Sequence, residues 1–398
     1  MERREFLRGV AAGMLGGTAL YLGACGAAAP APPASEPQAP AASGGETPAS
    51  GGETAQAPAA QTAGENIEWQ MTTSWPESLD TIHGGAIEVA ARVEAMTGGK
   101  FKIKVNQAGK IVGGLEVLDA VQSNTVQTGH SASYYYVGKN ETFAFATSLP
   151  FGLNAQQQNA WLYHGGGLEL LDPLFAEFGV KAFPAGNTTA QMGGWYKREV
   201  NTLADMKGLK FRIPGLGGRV MERIGVVTQT LPGGEIFLAL QTGAIDAAEW
   251  IGPYDDQKLG LNEAADFYYY PGWWEPGPTL DCYVNLEEWN KLSTTYQEIF
   301  KSACYHANMD MIAKYDARNQ AALSEMISTG TTVKPYSEEI LIGAQKAAFE
   351  LYDELASKDA KFFAPTYTAW KQFRENIYAW HQINEQSFSL FVTNNPIG

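Results

Sequence analysis

Polar side chains that could act on a ligand occur where strand-like runs end in the middle of the chain. They stand beside Trp and Gly residues in the stretches AQMGGW, LKFRIPG, AAEWIGP and WWEPGP, and they are Gln191, Arg212, Glu249 and Glu275. In open α/β sheets a ligand binds in the crevice outside the carboxyl ends of the strands. The four side chains could therefore converge in one such crevice.

Arg212 lies between an apolar, strand-like run and the glycine-rich turn PGLGG. The chain carries 28 Lys and Arg against 43 Asp and Glu, a formal net charge of −15. This balance argues against nucleic acid or an anionic lipid surface as the main partner. An anion bound to so acidic a chain needs a local cation, and Arg212 is a candidate. The alternative role for a single arginine at a strand end is a structural ion pair with a nearby acid.

Strands and helices alternate along the chain that must position these residues. A β-rich run from Ile67 ends at Pro76, and apolar residues at three-to-four spacing predict a helix over residues 79–96. The stretch KFKIKVN alternates as a half-buried strand does, and GGLEVLDAVQSN predicts a second helix. The same order returns after residue 180 and predicts an α/β fold with mainly parallel strands. A chain of 398 residues, 45% apolar, suffices for two domains or one large one.

Residues 1–24 have the composition of an export signal. Adjacent Arg3 and Arg4 give a twin-arginine n-region, and the uncharged run that follows is too short and too glycine-rich for a stable membrane span. The run ends in LGAC, which resembles a bacterial lipobox and predicts cleavage before Cys25 with lipidation of that cysteine. Plain signal cleavage nearby is the alternative.

Residues 25–64 have the composition of a tether. After Cys25 the segment consists of Ala, Pro, Ser, Gly, Thr, Glu and Gln, and it contains no Leu, Ile, Val or aromatic residue. Such a segment cannot bury enough apolar surface to offset the entropy of ordering. We therefore expect a disordered tether that carries a folded domain over residues 65–398.

Residues 211–256, FRIPGLGGRVMERIGVVTQTLPGGEIFLALQTGAIDAAEWIGPYDD, carry a family resemblance. They resemble the central region of the extracytoplasmic solute-binding proteins of TRAP transporters, especially the branch that binds 2-oxo acids and related monocarboxylates. The likeness extends from about residue 67 to the C-terminal helices. It implies a non-catalytic protein that captures a small carboxylate, such as pyruvate or lactate, and delivers it to a TRAP membrane permease.

The resemblance also implies a two-lobed periplasmic-binding-protein-like fold that closes over its ligand. Lobe I would comprise residues 65–188 with part of 276–330, and lobe II residues 189–275. A long helix would span both lobes within a helical C-terminus, residues 296–398. Because that C-terminus is rich in aromatic residues, and members of this branch include dimers that exchange such a helix, we expect a homodimer.

The resemblance assigns roles to the four polar residues. Arg212 would pair with the substrate carboxylate, which its planar guanidinium matches with two parallel hydrogen bonds. Two further carboxylates would repel that anion unless a hard cation lay between them. A Ca²⁺ or Na⁺ ion would be held by the Gln191 amide, the Glu249 carboxylate, the Trp250 main-chain carbonyl and the Glu275 carboxylate, with substrate oxygens completing the shell.

Aromatic side chains are expected to enclose the site. Trp75 and one of Tyr134 or Tyr135 are the candidates for direct ligand contact, beside Trp250. In a strand, consecutive side chains face opposite ways, so Tyr134, Tyr135 and Tyr136 could not all line one side of the pocket.

Other interpretations stay open at this point. Two glutamates among tryptophans also suit a secreted glycoside hydrolase, with Glu249 and Glu275 as its carboxylate pair. A binding protein for an ABC transporter or a sensor would keep the binding role with another partner. Cys282 and Cys304 could form a disulfide in an oxidising compartment, although one lies in a strand-like stretch and the other in a helical one.

Overall fold

Two β-sheets carry the fold in the computed structural model, which describes residues 64–397. The predicted export signal, the predicted lipidation at Cys25 and nearly all of the predicted tether lie outside the described residues. The strands are β1 (Ile67–Thr73), β2 (Phe101–Asn106), β3 (Thr128–Ser131), β4 (Val180–Asn187), β5 (Trp195–Tyr196), β6 (Lys210–Arg212), β7 (Val227–Gln229), β8 (Ala247–Ala248), β9 (Phe267–Tyr270), β10 (Thr279–Asn285) and β11 (Thr332–Pro335).

The helices pack around and between these sheets. They are α1 (Ile82–Met96), α2 (Val117–Gln122), α3 (Ala144–Thr147), α4 (Ala155–His164), α5 (Gly167–Glu177), α6 (Leu203–Met206), α7 (Gly215–Arg223), α8 (Gly233–Thr242), α9 (Pro253–Lys258), α10 (Leu261–Ala264), α11 (Leu286–Lys291), α12 (Thr294–Ser328), α13 (Glu338–Lys358), α14 (Phe363–Ile383) and α15 (Glu385–Asn394). Short 3₁₀ turns cover Ser133–Tyr136 and Glu141–Phe143.

Each sheet contains one reversed strand within the described residues. The first sheet has the order β2–β1–β3–β10–β4, and β10 is antiparallel to both neighbours. The second has the order β11–β9–β5–β8–β6–β7, and β5 is antiparallel to both neighbours. The remaining pairs are parallel. This arrangement confirms the predicted α/β fold with mainly parallel strands.

The two sheets form two lobes that the chain connects repeatedly. The chain leaves the first sheet after β4, builds most of the second, and returns to the first as β10. The 35-residue helix α12 packs against β4 and α1 in the first lobe and against α9 in the second. The predicted two-lobed fold with a long helix spanning both lobes is therefore confirmed. Within the stretch predicted to be helical, β11 instead adds a parallel strand to the edge of the second sheet.

Helix α1 shows how the apolar pattern positions an element of the first lobe. Its residues Ile82, Val89 and Val93 are buried, at the spacing that places them on one helix face. Complete burial of such a side chain stabilises the fold by about 1.5–3 kcal/mol. The helix begins at Ile82, three residues after the predicted start at residue 79. It stops before Gly98, which has a φ of 61°, a conformation that glycine adopts without strain.

The C-terminal residues from Trp380 onward belong to a unit separate from the main unit, which runs to Ala379. Large apolar side chains in this C-terminal segment are more than half exposed, namely Trp380, Ile383, Phe388 and Phe391. None of the helices within residues 64–397 combines the length and apolar composition needed to cross a bilayer. Cys282 and Cys304 are buried free thiols, so the structure does not form the disulfide that the sequence left open.

Candidate ligand-binding site

Arg212 and Glu249 lie at the same edge of the second sheet. Arg212 is the last residue of β6, and Glu249 directly follows β8. The two strands pair in parallel, with Arg212 opposite Ala248, and the Glu249 amide donates to the Arg212 carbonyl at 3.2 Å. The carboxyl ends of these central strands therefore bring both side chains to one place, as the strand-end argument from the sequence expected.

Gln191 and Glu275 lie on the two chain segments that connect the sheets. The main-chain N–H of Gln191 donates to the main-chain carbonyl of Glu275 at 3.1 Å, and the main-chain N–H of Gly272 donates to the main-chain carbonyl of Gln191 at 2.9 Å. A side chain at Gly272 would collide with this connection, because an added Cβ would lie 2.5 Å from the Met192 carbonyl oxygen. Glycine at this position thus allows the two connecting segments to lie side by side.

The guanidinium of Arg212 is buried and only partly paired. Its Nε donates to the Leu231 carbonyl at 3.0 Å, and its Nη1 donates to the Glu249 carbonyl at 3.0 Å and also to the Glu249 Oε1. Its central carbon lies 5.2 Å from the centre of the Trp250 ring. The structural ion pair considered from the sequence is therefore present. It leaves Nη2, however, without a hydrogen-bond partner among the described residues.

Several other buried polar atoms of the site also lack a partner in the described part of the chain. They are Gln191 Oε1, Glu249 Oε2 and Glu275 Oε2, together with the indole nitrogen of Trp250. An unsatisfied buried polar group costs about 1–3 kcal/mol, and native proteins contain few of them. Three free oxygens and one free guanidinium nitrogen form a set of ligand groups that suits a hard cation together with a carboxylate.

The pKa values of Glu249, Glu275 and Arg212 are shifted because the two carboxyl groups are buried beside one guanidinium. Burial raises the pKa of Glu275 to about 7. Burial, and then the charge of Glu275, raise the pKa of Glu249 well above its usual value. Burial is the largest single influence on Arg212 and lowers its pKa, but the interactions with Glu249, the two tyrosines and Glu275 together outweigh burial and raise the pKa overall. A cation between the carboxylates would relieve this repulsion and favour their charged forms.

A small pocket of about 10 Å³ lies at these residues. Both lobes line it, and the six residues predicted to contact substrate are all among the lining residues: Gln191, Arg212, Trp250, Trp75, Tyr134 and Tyr135. The two glutamates predicted to bind metal are almost fully buried, Glu249 at 0% and Glu275 at 3% exposure. The structure thus brings together every side chain singled out for the site.

Tyr134 and Tyr135 both line the pocket, where one of the two was expected to contact the ligand, and Tyr136 is not a lining residue. Tyr134 and Tyr135 do not lie in a strand but in the 3₁₀ turn Ser133–Tyr136. A 3₁₀ turn rotates by a third of a circle per residue, so neighbouring side chains need not point in opposite directions. Burial raises the pKa of both hydroxyls, which therefore remain protonated and able to donate.

The sequence argument missed four residues that line the pocket: Ile82, Thr188, Ile251 and Leu280. Thr188 directly follows β4, so the strand-end argument could have included it. The other three are apolar residues whose sequence pattern is the same as that of ordinary core positions. Their place in the pocket depends on how the two lobes meet, which a local pattern does not encode.

The fold and the pocket together define a two-lobed solute-binding protein. A family model described as bacterial extracellular solute-binding protein, family 7, matches residues 71–359, and the chain belongs to this family. A relative from Nostoc sp., described as a monocarboxylate 2-oxoacid-binding periplasmic protein, is 58% identical over 337 residues, covering 85% of this chain and 92% of the relative. The family resemblance identified from the sequence is confirmed.

Two solved structures show the same fold. A TRAP transporter solute-binding protein from Bordetella bronchiseptica, described as a mixed occupancy dimer with copurified calcium and picolinate in the active site, is 43% identical. The match has a TM-score of 0.82 and covers 83% of this chain and 98% of that one. A TRAP periplasmic solute-binding protein from Pseudoalteromonas atlantica, with bound sodium and pyruvate, is 34% identical, with a TM-score of 0.79 and coverage of 81% and 98%.

Proposed function

We propose that this protein captures a small 2-oxo acid such as pyruvate, or a related monocarboxylate such as lactate, and delivers it to a TRAP membrane permease. A Ca²⁺ or Na⁺ ion binds with the acid in the cleft between the lobes. The observation that carries this proposal is the set of unpartnered buried atoms on Gln191, Arg212, Glu249 and Glu275. Gln191 and Arg212 line the pocket, and both glutamates are close enough to Arg212 to interact with its charge. The ligands described for the Bordetella and Pseudoalteromonas proteins have the same chemistry.

Each group of the pocket then has a defined task. Arg212 donates through Nη2 to the substrate carboxylate while its Nη1 stays paired with Glu249. The free oxygens of Gln191, Glu249 and Glu275, with the main-chain carbonyl of Trp250, hold the cation. The cation offsets the negative charge of the two glutamates, so that a third carboxylate can enter.

The lining of the pocket favours a monocarboxylate. Among its lining residues, all within the described part of the chain, Arg212 is the one cationic side chain, so a second carboxylate on the ligand would lack a counter-charge. Ile82, Ile251 and Leu280 offer apolar surface to the carbon chain of the acid instead.

The family consists of solute-binding proteins, and we propose no catalytic activity for this chain. A glycoside hydrolase would place a neutral sugar between its two carboxylates. Here one of those carboxylates is already paired with Arg212 in a small pocket, which suits a held anion better. The TRAP permease is favoured over an ABC or sensor partner because the solved relatives are TRAP proteins.

A thermal-shift comparison tests the proposed ligand class. We expect pyruvate or lactate to raise the melting temperature of ligand-stripped protein in the presence of Ca²⁺ and to lose most of this effect in EDTA, because binding to the native state stabilises it. Neutral sugars should have no effect. Stabilisation by a sugar and by none of the acids would contradict the proposal.

We further propose that the protein is exported and held at the membrane by lipidated Cys25. The LGAC sequence supports this, and the exported location agrees with the family. Replacing Cys25 with Ser should move the protein from the detergent phase to the aqueous phase in a detergent partition of cells. Equal partition of parent and variant would contradict lipidation.

A homodimer is the proposed assembly. The exposed Trp380, Ile383, Phe388 and Phe391 supply apolar surface in the C-terminal unit, and the Bordetella relative is described as a dimer. Light scattering should give twice the monomer mass at micromolar concentration. Monomer mass alone would contradict the dimer.

A further inference from the structure

A buried histidine outside the pocket holds one of its aromatic side chains. The indole N–H group of Trp75 donates to His130 Nδ1 at 2.8 Å. Trp75 is 1% exposed and lines the pocket from the first lobe, whereas His130 is fully buried and is not a lining residue. No role was expected for His130 from the sequence.

The surroundings of His130 fix its tautomer. His130 lies in β3, and its Nε2 is 3.2 Å from the Ala185 carbonyl oxygen. Because a carbonyl only accepts, Nε2 must carry the proton, and Nδ1 is left as the acceptor that Trp75 requires. Burial lowers the pKa of His130 to about 4, which keeps the ring neutral near pH 7. One neutral tautomer therefore satisfies both neighbours.

Trp75 in turn contacts the second lobe across the pocket. Its ring centre lies 6.2 Å from that of Trp250 in an edge-to-face arrangement, at an interplanar angle of 70°. Trp250 follows β8, and its ring lies 5.2 Å from the central carbon of the Arg212 guanidinium. Contacts thus run without a gap from His130 through two tryptophans to the proposed carboxylate-binding group.

Trp250 has no room to move away from these partners toward α8. Gly233, at the start of α8, lies so close to the ring that an added Cβ would be 2.5 Å from Cη2. Heavy atoms do not approach so closely, so even an alanine at this position would have to displace the ring. The indole of Trp250 is therefore held between Gly233, Trp75 and Arg212.

We propose that His130 is a positioning residue for ligand binding: it fixes Trp75, which through Trp250 holds the guanidinium of Arg212 in place. The geometry assigns His130 no contact with the ligand. Its effect depends on the neutral tautomer that accepts from Trp75 and donates to Ala185. The part of this inference that concerns affinity rests on the proposed monocarboxylate function, whereas the part that concerns side-chain position does not.

Two substitutions at His130 distinguish the effect of its hydrogen bonds from the effect of the volume of its side chain. His130→Phe keeps a ring but leaves the Trp75 indole N–H group buried without an acceptor. His130→Gln retains both an acceptor and a donor. We expect His130→Phe to weaken pyruvate binding in Ca²⁺ about tenfold, as measured by calorimetry in the full chain. His130→Gln should bind pyruvate with an affinity close to that of the parent.

A double-mutant cycle tests whether His130 acts through Trp75. In a Trp75→Phe background the indole donor is absent, so adding His130→Phe should weaken pyruvate binding further by less than about twofold. A full additional tenfold loss would show that His130 acts by another route and would overturn the proposal. Gly233→Ala, which displaces Trp250 from the opposite side, should also weaken binding, and because it acts on the same ring its effect should add only partly to that of His130→Phe.

Val93→Ala is the matched control for general destabilisation of the first lobe. Val93 is fully buried in α1 and belongs to the apolar cluster that does not contain the pocket residues. It should lower the melting temperature without changing pyruvate affinity more than about twofold. If His130→Phe behaves as Val93→Ala does, the histidine is merely structural and the proposal fails.

A spectroscopic measurement decides the positioning role even if pyruvate does not bind. The indole N–H signals of ¹⁵N-tryptophan-labelled protein can be assigned with Trp75→Phe and Trp250→Phe, and recorded with and without pyruvate and Ca²⁺. His130→Phe should move the signals of both Trp75 and Trp250, and Val93→Ala neither. An unmoved Trp250 signal under both conditions would overturn the proposal. Absence of pyruvate binding in the parent would instead contradict the proposed function.

Discussion

Two groups of charged side chains differ in exposure and pairing. One lies inside the cleft, and the other, here called the rim, links elements of the two lobes outside the pocket lining. In the cleft, Arg212 and Glu249 form an ion pair with side chains only 1% exposed. At the rim, Asp80 of the first lobe accepts from Lys258 of α9 and from Arg318 of α12, with all three side chains about one-third to one-half exposed. Tyr254 adds its hydroxyl to Asp80 at 3.1 Å. The buried pair lies within one lobe, whereas the exposed cluster joins elements of both.

The cleft and the rim differ in how many of their charged atoms lack a hydrogen-bond partner. The rim charges are hydrated and paired, and such exposed pairs contribute at most about 1 kcal/mol each. Removing the cleft charges from water costs far more, and the ion pair alone does not satisfy Arg212 Nη2 or Glu249 Oε2. The cleft is therefore built to be completed by a ligand, and the rim to hold the lobes together around it.

The largest effect is expected at Arg212. Arg212→Lys keeps the charge but loses the planar fork, so it cannot pair with Glu249 and a ligand carboxylate in the same way. We expect pyruvate binding to weaken tenfold or more, on the order of 1.4 kcal/mol upwards, in calorimetric titration. Arg219→Lys, at a partly exposed ion pair with Glu141, is the control and should bind as the parent does. Parent-like affinity of Arg212→Lys would remove this residue from the site.

The next effect concerns the cation. Glu275→Gln removes one charged oxygen ligand, and we expect calcium affinity to fall roughly tenfold or more, with pyruvate affinity falling through the loss of calcium. Elemental analysis of the purified variant and pyruvate titrations at several Ca²⁺ concentrations measure both. Glu263→Gln, at an exposed position of α10, should retain the metal. Equal metal content in Glu275→Gln and the parent would refute the assignment of Glu275.

An effect of intermediate size is expected in the pH dependence of folding stability, because of the buried carboxyl of Asp281. Burial raises the pKa of Asp281 to about 7, although Ser133 donates to it at 2.5 Å. Between its usual pKa of 3.8 and about 7 the folded protein binds more protons here than the unfolded chain, so stability is lost as pH rises across this window. One such group contributes up to about 1.4 kcal/mol per pH unit.

Asp281→Asn should therefore flatten the decline of the melting temperature between pH 5 and pH 8. The comparison uses ligand-free protein, so that metal and substrate do not contribute. Curves for parent and variant that run parallel across this range would show that Asp281 does not titrate there.

The smallest effect is expected at the rim. Asp80→Asn removes the carboxylate that links the lobes, and we expect pyruvate binding to weaken about twofold to fivefold, at most about 1 kcal/mol, with the difference shrinking at high salt. Glu88→Gln breaks an exposed pair with Arg92 inside α1 and should have no effect. A loss at Asp80 as large as that at Arg212 would invalidate the contrast between cleft and rim.

Local sequence patterns predicted helices and strand ends, because these features depend on residues close together in the chain. The spacing of apolar residues predicted α1, and polar residues at strand ends predicted that Arg212 and Glu249 would meet. The metal-binding set and the long helix α12 came from the family resemblance, not from spacing. The strand expected at the three adjacent tyrosines is instead the 3₁₀ turn Ser133–Tyr136.

Features that depend on the meeting of distant segments were not predictable in this way. His130 acts on Trp75 across 55 residues of sequence, and Leu280 lines the pocket only because β10 returns to the first sheet. The parallel pairing of β11 with β9 likewise joins segments far apart in the chain. A single sequence contains no local signal for such pairings.

The most direct test of the central claim is calorimetric titration of residues 65–398, unfolded and refolded to remove bound ligand. Pyruvate, lactate, longer 2-oxo acids and a neutral sugar would each be added with and without Ca²⁺. We predict tight binding of one acid that depends on the metal. Binding of the sugar with no response to any acid would contradict the account and favour a sugar-binding or hydrolytic protein on the same fold.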